Sequence, residues 1–459
     1  MRCYKTVGRI FVRQPPRMKP STVSAMFIAI AALISSSAVE AIVPFNRTFT
    51  YVNAGDFGIY ISEYGADYRA LEIFTHGFLM LFYNTTPSAY TLALRMGTRY
   101  SESRFIFVWE ANRGKPVGEN AVFSLGRDGN LLLREADGRT VWQSNTANKG
   151  VVDYDALANG NIVLLDAKGN YVWQSFDSPT DTLLVDQYLK LGGVTKLVSR
   201  ASEEANVDGP YSLELEPTRF ALYYTSPMDA KRYIYYSSTK WFNVSNGPLK
   251  QMKLVTSPKE NNAASYDISL NYESSSRSGM VGISRTQYNP MFSFLRLGMD
   301  GNLKVYTFDD NVDWAAWEIT LSLFGKSPKW QSECELPSQC GNYGVCENNM
   351  CVSCPKGQPQ GSDPFLAWHV NCTAQTVKSC LPGAIQYYQL AGVKHFSTQY
   401  TKGEGPMTSE ACMKKCTADC KCLGFFFKTL PGTCWTVGDL MTLRGGADPS
   451  ISAFIKFSK

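Results

Sequence analysis

The sequence predicts a mainly β protein in which repeated sheet units come first and a disulfide-rich region comes last. Trp109, Trp142 and Trp173 are separated by 33 and 31 residues, and one polar and one small residue follow each of them. A large aromatic side chain that recurs at this interval is expected where similar sheets meet on a shared axis. Glycine turns divide the same stretch into short strands, and all but one of the 13 cysteines lie in the last third of the chain.

Residues 1–41 are expected to be a leader that contains a secretory signal peptide. Basic residues precede a short apolar segment at residues 23–34, and small residues follow it. This segment is too short to cross a bilayer, and the order of the three regions is typical of a cleaved signal. We expect the mature chain to begin near Ile42, although cleavage after Ala38 also fits and Met18 is an alternative start. An N-terminal membrane anchor is the competing interpretation.

The charge balance excludes a nucleic-acid-binding protein. The full chain has 45 basic and 40 acidic residues, but residues 1–41 hold six of the basic and one of the acidic ones, so 39 of each remain. A neutral mature chain has no excess charge with which to attract nucleic acid or an anionic membrane. The high apolar and low charged content argues against disorder, so we expect a folded protein with sizeable cores.

Residues 42–191 are predicted to form a β domain, and residues 192–322 a more divergent copy of it. In the first, apolar runs flank Asp-Gly and Asn-Gly pairs at residues 128–129 and 159–160, which supply the positive backbone angles that tight hairpins need. Alternating strand patterns and a further hairpin signal recur in the second, without the tryptophan triplet. Residues 257–265, rich in Asn, Lys and Ala, are expected to form an exposed loop.

Twelve cysteines remain after the leader, between Cys334 and Cys434. This even number in a secreted chain predicts a disulfide framework, and the first six lie in a segment too short to bury a core of its own. A helix is expected here that Thr408 or Ser409 can cap, with Glu410 in the first turn and Lys414 and Lys415 later, in the order that the helix dipole favours. In the short segment that holds the first six cysteines, disulfides should take the place of a large core.

Two long strings carry a family resemblance: VWEANR at residues 108–113 and WQSFDSPTDTLL at residues 173–184. Both resemble the bulb-type (mannose-binding, curculin-like) lectin domain of plant S-locus glycoproteins and epidermis-specific secreted glycoproteins. The resemblance implies tandem β-prism domains of three antiparallel sheets. The cysteine patterns that follow resemble a small EGF-like module and an α+β PAN/apple domain, and no kinase motif is present. The implied order is a leader at 1–41, lectin domains at 42–191 and 192–322, an EGF-like module at 330–372 and a PAN/apple domain at 380–459.

The resemblance also implies a disulfide pattern, although the sequence alone allows many others. The implied pairs are Cys334 with Cys346, Cys340 with Cys351, Cys354 with Cys372, Cys412 with Cys434, Cys416 with Cys422, and Cys380 with Cys420 as the remaining pair. Four sequons, at Asn46, Asn84, Asn243 and Asn371, are expected to carry N-glycans in a secreted chain. Together these features predict a glycoprotein of the apoplast or cell wall.

The sugar-binding pattern of the lectin family is present only in part. That pattern, Q-x-D-x-N-x-V-x-Y, places its polar residues on one face of a strand, where they can bond to sugar hydroxyls. Asp128 and Asn130 match it at one position, and Asn161 and Val163 at the next, while the remaining positions depart. At a third site in the first domain, His76 and Phe78 stand where the pattern has Asp and Asn. In the second domain Asp300, Asn302 and Tyr306 match the pattern, and Gly298 and Lys304 do not. Since each missing hydrogen bond costs about 1 to 3 kcal/mol, we expect poor mannose binding.

No constellation of catalytic residues stands out in the sequence. His76, His369 and His395 fall in separate predicted modules, without metal-ligand spacing or a nucleophile motif. We therefore expect no enzyme activity, no cofactor and no metal. Two functions stay open: a secreted carbohydrate-recognition protein with degenerate sugar pockets, and a protein–protein interaction or wall-structural glycoprotein. The expected partners are glycans or glycoproteins of the cell wall or other extracellular proteins, and a dimer is one of the open oligomeric states.

Overall fold

A computed structural model of the chain is mainly β and describes twelve stretches of sequence. The described residues are 42–98, 104–241, 247–260, 263–272, 278–286, 292–309, 317–327, 331–355, 365–367, 372, 382–446 and 448–458. The leader, the sequons at Asn243 and Asn371, His369 and Cys380 lie outside them. The expectations for these residues stay predictions.

The first unit consists of three antiparallel sheets. Its strands are β1 (Phe49–Val52), β2 (Asp67–Thr75), β3 (Phe78–Thr86), β4 (Ala89–Met96), β5 (Ile106–Glu110), β6 (Val122–Leu125), β7 (Leu131–Arg134), β8 (Thr140–Gln143), β9 (Val151–Ala156), β10 (Ile162–Asp166) and β11 (Tyr171–Gln174). The sheets have the orders β2-β3-β4-β5, β1-β6-β7-β8 and β11-β10-β9. The predicted hairpins are confirmed, and Gly129 and Gly160 adopt the positive φ values of 78° and 84° that their turns require.

Each of the three sheets contributes one tryptophan to a common contact. Trp109, Trp142 and Trp173 lie on β5, β8 and β11, and their ring centroids are 5.8 to 6.2 Å apart in edge-on pairs. The aromatic edges of one ring face the electron-rich surface of the next, which is a favoured arrangement. The prediction that the repeated indoles share one core is therefore confirmed.

The second unit also has three antiparallel sheets. Its strands are β12 (Thr182–Leu184), β13 (Tyr188–Lys190), β14 (Lys196–Arg200), β15 (Asp208–Glu216), β16 (Arg219–Thr225), β17 (Arg232–Ser237), β18 (Leu249–Glu260), β19 (Ala263–Tyr272), β20 (Ser278–Thr286), β21 (Ser293–Leu297), β22 (Leu303–Phe308) and β23 (Trp317–Ser322). The sheets have the orders β14-β15-β16-β17, β13-β18-β19-β20 and β12-β21-β22-β23.

Two details of the second unit differ from the expectation. Strands β12 and β13 precede residue 191 but pair with β21 and β18, so we place the division between the units near residue 181. The predicted loop at residues 257–265 was wrong, because Ser257 pairs with Ser265 across β18 and β19. Cross-strand pairing over the length of these two strands outweighs the weak strand preference of the residues.

The C-terminal region contains the described α-helix, a mixed sheet of five strands and an antiparallel sheet of four strands. The elements are β24 (Val345–Glu347), β25 (Met350–Pro355), β26 (Phe365–Ala367), β27 (Ile385–Ala391), β28 (Lys394–His395), α1 (Ser409–Ala418), β29 (Gly424–Lys428), β30 (Thr433–Val437), β31 (Leu443–Arg444) and β32 (Ile451–Ser458). Thr408, one of the two predicted caps, caps α1 by accepting a hydrogen bond from the Ala411 amide. Strand β24 pairs in parallel with β31, so the two predicted modules share a sheet. Short 3-10 turns occur at Phe45–Arg47, Glu63–Gly65, Ser175–Asp177, Ser238–Trp241, Glu333–Glu335, Pro382–Ala384 and Phe396–Gln399.

Disulfides hold the C-terminal region together. The described bonds join Cys334 with Cys346, Cys340 with Cys351, Cys354 with Cys372, Cys412 with Cys434 and Cys416 with Cys422. These are pairs that the family resemblance implies. Cys420 is also disulfide-bonded, and its expected partner Cys380 lies outside the described residues.

Candidate carbohydrate-binding sites

The side chain of Asn130, predicted to contact sugar, instead closes the hairpin between β7 and β8. Its Oδ1 accepts hydrogen bonds from the Ser144 hydroxyl and the Thr146 amide, both at 3.0 Å, and its Nδ2 donates to Gln143 Oε1 at 3.0 Å. Only 4% of the residue is exposed. The amide oxygen and one amide N–H are therefore bonded within the protein, and the role of the side chain here is architectural.

The same arrangement recurs one repeat later at Asn161. Its Oδ1 accepts from the Ser175 hydroxyl at 3.2 Å, and its Nδ2 donates to Gln174 Oε1 at 2.8 Å. Asn161 is 3% exposed and Val163 is completely buried, so neither side chain can lie against a sugar in this conformation. The Gln-Ser pair that follows each of the second and third tryptophans is thus the partner of the preceding Asn. The repeated Gln-Ser pair was the sequence signal that could have revealed these hydrogen bonds.

Asp128, the remaining residue of the predicted first-unit sites, is half-buried and serves the turn. Its Oδ1 accepts a hydrogen bond from the Asn130 amide at 3.2 Å. The family pattern has a glutamine where this chain has Gly126, and a Cβ atom at Gly126 would lie 2.7 Å from Asp128 Oδ1. A side chain at that position would displace the carboxylate. The absence of the glutamine and the inward position of Asp128 are therefore linked.

The equivalent hairpin of the second unit borders an open cavity of about 310 Å³. Asp300, Lys304 and Tyr306 line it, whereas Asn302 is 4% exposed and donates to the Ser322 hydroxyl and the Phe324 carbonyl. Lys304 Nζ lies 2.6 Å from Asp300 Oδ2. Burial opposes the charged form of Lys304, but the attraction of Asp300 outweighs it and raises the pKa of Lys304. The cavity thus offers a carboxylate, an ammonium group and a phenol.

Buried ion pairs form the inner wall of this cavity and join the two units. Arg296 of β21 reaches Glu63 of the first unit, with its Nη1 2.6 Å from Glu63 Oε1. Asp181, at the division between the units, bonds to Arg113 Nη2 at 2.8 Å, and Arg113 Nε also bonds to Glu110 Oε2 at 2.6 Å. All five side chains are nearly closed to solvent. We call this set the junction network.

Two carboxylates of the junction network have pKa values that diverge. Burial raises the pKa of Glu63 despite Arg296, whereas the nearby Arg113 and Arg296 overcome the effect of burial and lower the pKa of Asp181. A pair of this kind can indicate a glycosidase. Here, however, Glu63 accepts from Arg296 and the Phe107 amide, and Asp181 accepts from Arg113 and the Thr182 hydroxyl. Each carboxylate oxygen therefore already has a partner within the protein.

Neither a described cluster of three cysteines nor His395 offers an accessible reactive group. The cysteines close enough to suggest a metal site, Cys340, Cys346 and Cys351, belong to two disulfides and offer no free thiolate. His395 is fully buried, and burial lowers its pKa to about 3, so it is neutral at ordinary pH. Among the residues that the structure describes, no helix has the length and apolar character of a membrane span.

The two described sequons differ in accessibility, and we expect a difference in glycosylation. Asn46 is exposed on a short turn, whereas Asn84 is 7% exposed within β3, where it pairs with strands on both sides. A glycan on Asn84 would have to displace the groups that bury this side chain. Mass spectrometry of peptides deglycosylated in heavy-oxygen water should therefore find the label at Asn46 and not at Asn84. A fully occupied Asn84 would contradict the position of β3.

Comparison with known proteins identifies two family matches and several relatives of similar length. The D-mannose binding lectin model matches residues 106–202, and the S-locus glycoprotein domain model matches residues 244–359. The epidermis-specific secreted glycoprotein EP1 of Daucus carota is 49% identical over 365 residues, which cover 76% of this chain and 93% of that protein. EP1-like glycoprotein 2 of Arabidopsis thaliana is 42% identical, with 94% of this chain and 99% of that protein covered.

A solved structure also aligns with part of the chain. It is a monomeric monocot mannose-binding lectin from Gastrodia elata, 22% identical, with 28% of this chain and 96% of that chain covered and a TM-score of 0.17.

Proposed function

The chain belongs to the family of the EP1 epidermis-specific secreted glycoproteins and carries a bulb-type lectin domain and an S-locus glycoprotein domain, and from this premise we propose that it is a non-enzymatic carbohydrate-recognition glycoprotein of the cell wall. The secreted relatives support an extracellular location. The satisfied carboxylates Glu63 and Asp181 support a binding role over a hydrolytic one. Its partners would be wall glycans or glycoproteins.

We propose a modular organisation for this function, with one change from the sequence prediction. Two β-prism units would occupy residues 42–181 and 182–322, since strands β12 and β13 complete sheets of the second. An EGF-like module at 330–372 and a PAN/apple domain at 380–459 would follow. The sheet that β24 and β31 share supports these two modules as one C-terminal body.

The cavity beside Asp300 is the observation that carries the proposal. In the first unit, the amide groups of the predicted sugar sites are hydrogen-bonded to Gln143, Ser144 and the equivalent residues of the next repeat. Asp128 is the remaining polar side chain of these predicted sites. In the second unit, Asp300 and Tyr306 border open space large enough for a sugar ring. Tyr306 stacks on Phe294 with ring centroids 5.1 Å apart, so its hydroxyl is held in a fixed position. Sugar recognition by the family pattern is therefore proposed at this one hairpin.

Glycan-array binding of the mature glycoprotein, with mannose competition, tests this function. We expect weak binding that the Tyr306→Phe variant reduces about tenfold, since that change removes one hydroxyl and keeps the ring. Asp128→Ala is the matched control at a closed hairpin and should bind as the wild type does. Equal binding by wild type and Tyr306→Phe, together with loss in Asp128→Ala, would place the site in the first unit instead.

An exposed apolar segment favours protein–protein interaction as the second candidate function. Ile59 is 88% exposed, Ile61 58% and Tyr60 45%, all on consecutive positions beside β5. Runs of exposed apolar residues often mark interaction surfaces. Two results together would support this function over sugar recognition. The protein would bind no glycan on the array, and the wild type would capture a wall protein that the Ile59→Asp variant does not capture.

A further inference from the structure

The cavity beside Asp300 is lined by residues of both units. Asp300 and Tyr306, which match the family's sugar-binding pattern, belong to the second unit, whereas Tyr64 and Arg104 belong to the first. The wall that the first unit supplies therefore lies outside the family pattern. A ligand in this cavity would lie at the junction of the two units.

Tyr64 has an unusual backbone conformation at this wall. It lies in the 3-10 turn Glu63–Gly65 with φ 63° and ψ 12°, in the left-handed region. A large side chain rarely adopts this conformation, because its Cβ atom crowds the backbone. Glycine adopts it without strain, and asparagine adopts it more readily than most residues do. The turn alone would therefore favour one of those residues, and it does not explain the aromatic side chain.

Hydrogen bonds of the preceding residue hold this turn in place. The Glu63 amide donates to the Phe105 carbonyl at 2.8 Å. The Glu63 carboxylate accepts from Arg296 at 2.6 Å and from the Phe107 amide at 2.9 Å. The strained conformation of Tyr64 is thus imposed by its surroundings before any ligand binds. Strained residues that are held in this way occur often at ligand-binding sites.

The ring of Tyr64 is packed on the protein and also borders the cavity. The Arg200 guanidinium lies over the ring, 4.4 Å from its centroid, and the centroid of the Phe107 ring is 6.2 Å away. These contacts limit the freedom of the ring. The residue is nevertheless partly exposed, and it lines the cavity. The first unit therefore offers a preorganised aromatic side chain to a ligand that reaches Tyr306.

We propose that the ring of Tyr64 contacts the sugar bound beside Asp300, so that the site is composite and needs both units. The inference rests on the proposed carbohydrate recognition and assigns to it a residue outside the family pattern. The apolar C–H groups of a sugar ring can pack on an aromatic side chain, and a ring that is already fixed loses little freedom on binding. A sugar that contacts Tyr64 and Tyr306 would bridge the units.

Ligand-observed NMR on the mature glycoprotein and three variants of Tyr64 test this inference. The probes are the methyl glycosides of mannose, glucose, galactose and xylose. Tyr64→Gly and Tyr64→Asn remove the ring and suit the left-handed backbone, so the turn should keep its conformation. For a glycoside that the wild type binds, each should raise the dissociation constant about tenfold or more. Tyr64→Phe keeps the ring and should bind within about threefold of the wild type.

Thermal unfolding of the same variants separates a contact from a structural role. The midpoints of Tyr64→Gly and Tyr64→Asn should stay within a few degrees of the wild type, because relief of backbone strain offsets part of the lost packing. Tyr171→Asn is the matched control, because Tyr171 is 52% exposed and does not line the cavity. It should bind the glycosides as the wild type does.

Two results would overturn this inference and leave the proposed function intact. In the first, Tyr306→Phe weakens glycoside binding while Tyr64→Gly and Tyr64→Asn bind as the wild type does. In the second, Tyr64→Phe loses as much binding as Tyr64→Gly, so that the ring contributes nothing. If the wild type bound no glycoside and no glycan on the array, both the inference and the proposed function would be overturned.

Discussion

Replacement of Arg296 by methionine is expected to lower the free energy of unfolding by about 3 to 5 kcal/mol. Arg296 is 7% exposed and donates to Glu63, to the Thr182 hydroxyl at 3.0 Å and to the Phe107 carbonyl. Methionine fills similar space but leaves Glu63 as a buried carboxylate without its cation. A charge of this kind is costly, and the cost appears as lost stability or as protonation.

The pH dependence of this variant has a definite sign. Burial already raises the pKa of Glu63 in the folded protein, and loss of Arg296 should raise it further. A carboxyl whose folded pKa is raised binds more protons when folded than when unfolded. Stability therefore falls as the pH rises above the pKa of an unfolded glutamate, about 4.3. The loss of stability in Arg296→Met should be larger at neutral pH than near that value.

Urea unfolding of wild type and variant at both pH values measures this effect. Arg139→Met is the matched control, because Arg139 is 65% exposed and its pair with Glu135 is solvated, so its removal should change stability little. Equal stability losses for the two variants would show that the junction network does not hold the units together.

Replacement of Asn130 by alanine is expected to cost about 2 to 4 kcal/mol of stability. The change leaves the Thr146 amide without its acceptor in a place closed to water, and it removes one of the two acceptors within reach of the Ser144 hydroxyl. Asn161→Ala should have a similar effect, since the same bonds recur there. Thermal unfolding of the purified variants measures the loss.

Asn170→Ala is the control for this prediction, because Asn170 is an exposed hairpin residue that bonds only to Asp166 in its own turn. It should unfold close to the wild type. If Asn130→Ala kept wild-type stability and lost glycan binding, Asn130 would be a sugar ligand and the architectural role assigned to it would be wrong.

The large features of the fold were predictable because they depend on local patterns. The regular spacing of Trp109, Trp142 and Trp173 predicts three similar sheets, and each glycine turn predicts a hairpin. The Thr408 cap is similarly local, since its partner is three residues away. The pairing of β12 with β21 and of β13 with β18 was not predictable, because no local pattern separates these strands from the repeat that precedes them.

The roles of the candidate site residues were harder to predict, because the same amide group can bind a sugar or hold a hairpin together. An Asn amide that can bond to sugar hydroxyls can equally bond to Ser144 or Ser175, and position in the strand does not distinguish them. The two strings that carry the family resemblance meet in the structure, where Arg113 from the first bonds to Asp181 from the second. Their third partner, Arg296, is more than a hundred residues further on, and no local pattern connects it to them.

A crystal structure of the mature glycoprotein with a bound oligosaccharide, chosen from the array, tests sugar recognition by the second unit most directly. We expect a sugar ring in the cavity between Asp300 and Tyr306, with Asn130 and Asn161 still bonded to Ser144 and Ser175. A sugar held by Asp128 and Asn130, with the Asn130 amide turned away from Ser144, would contradict the account.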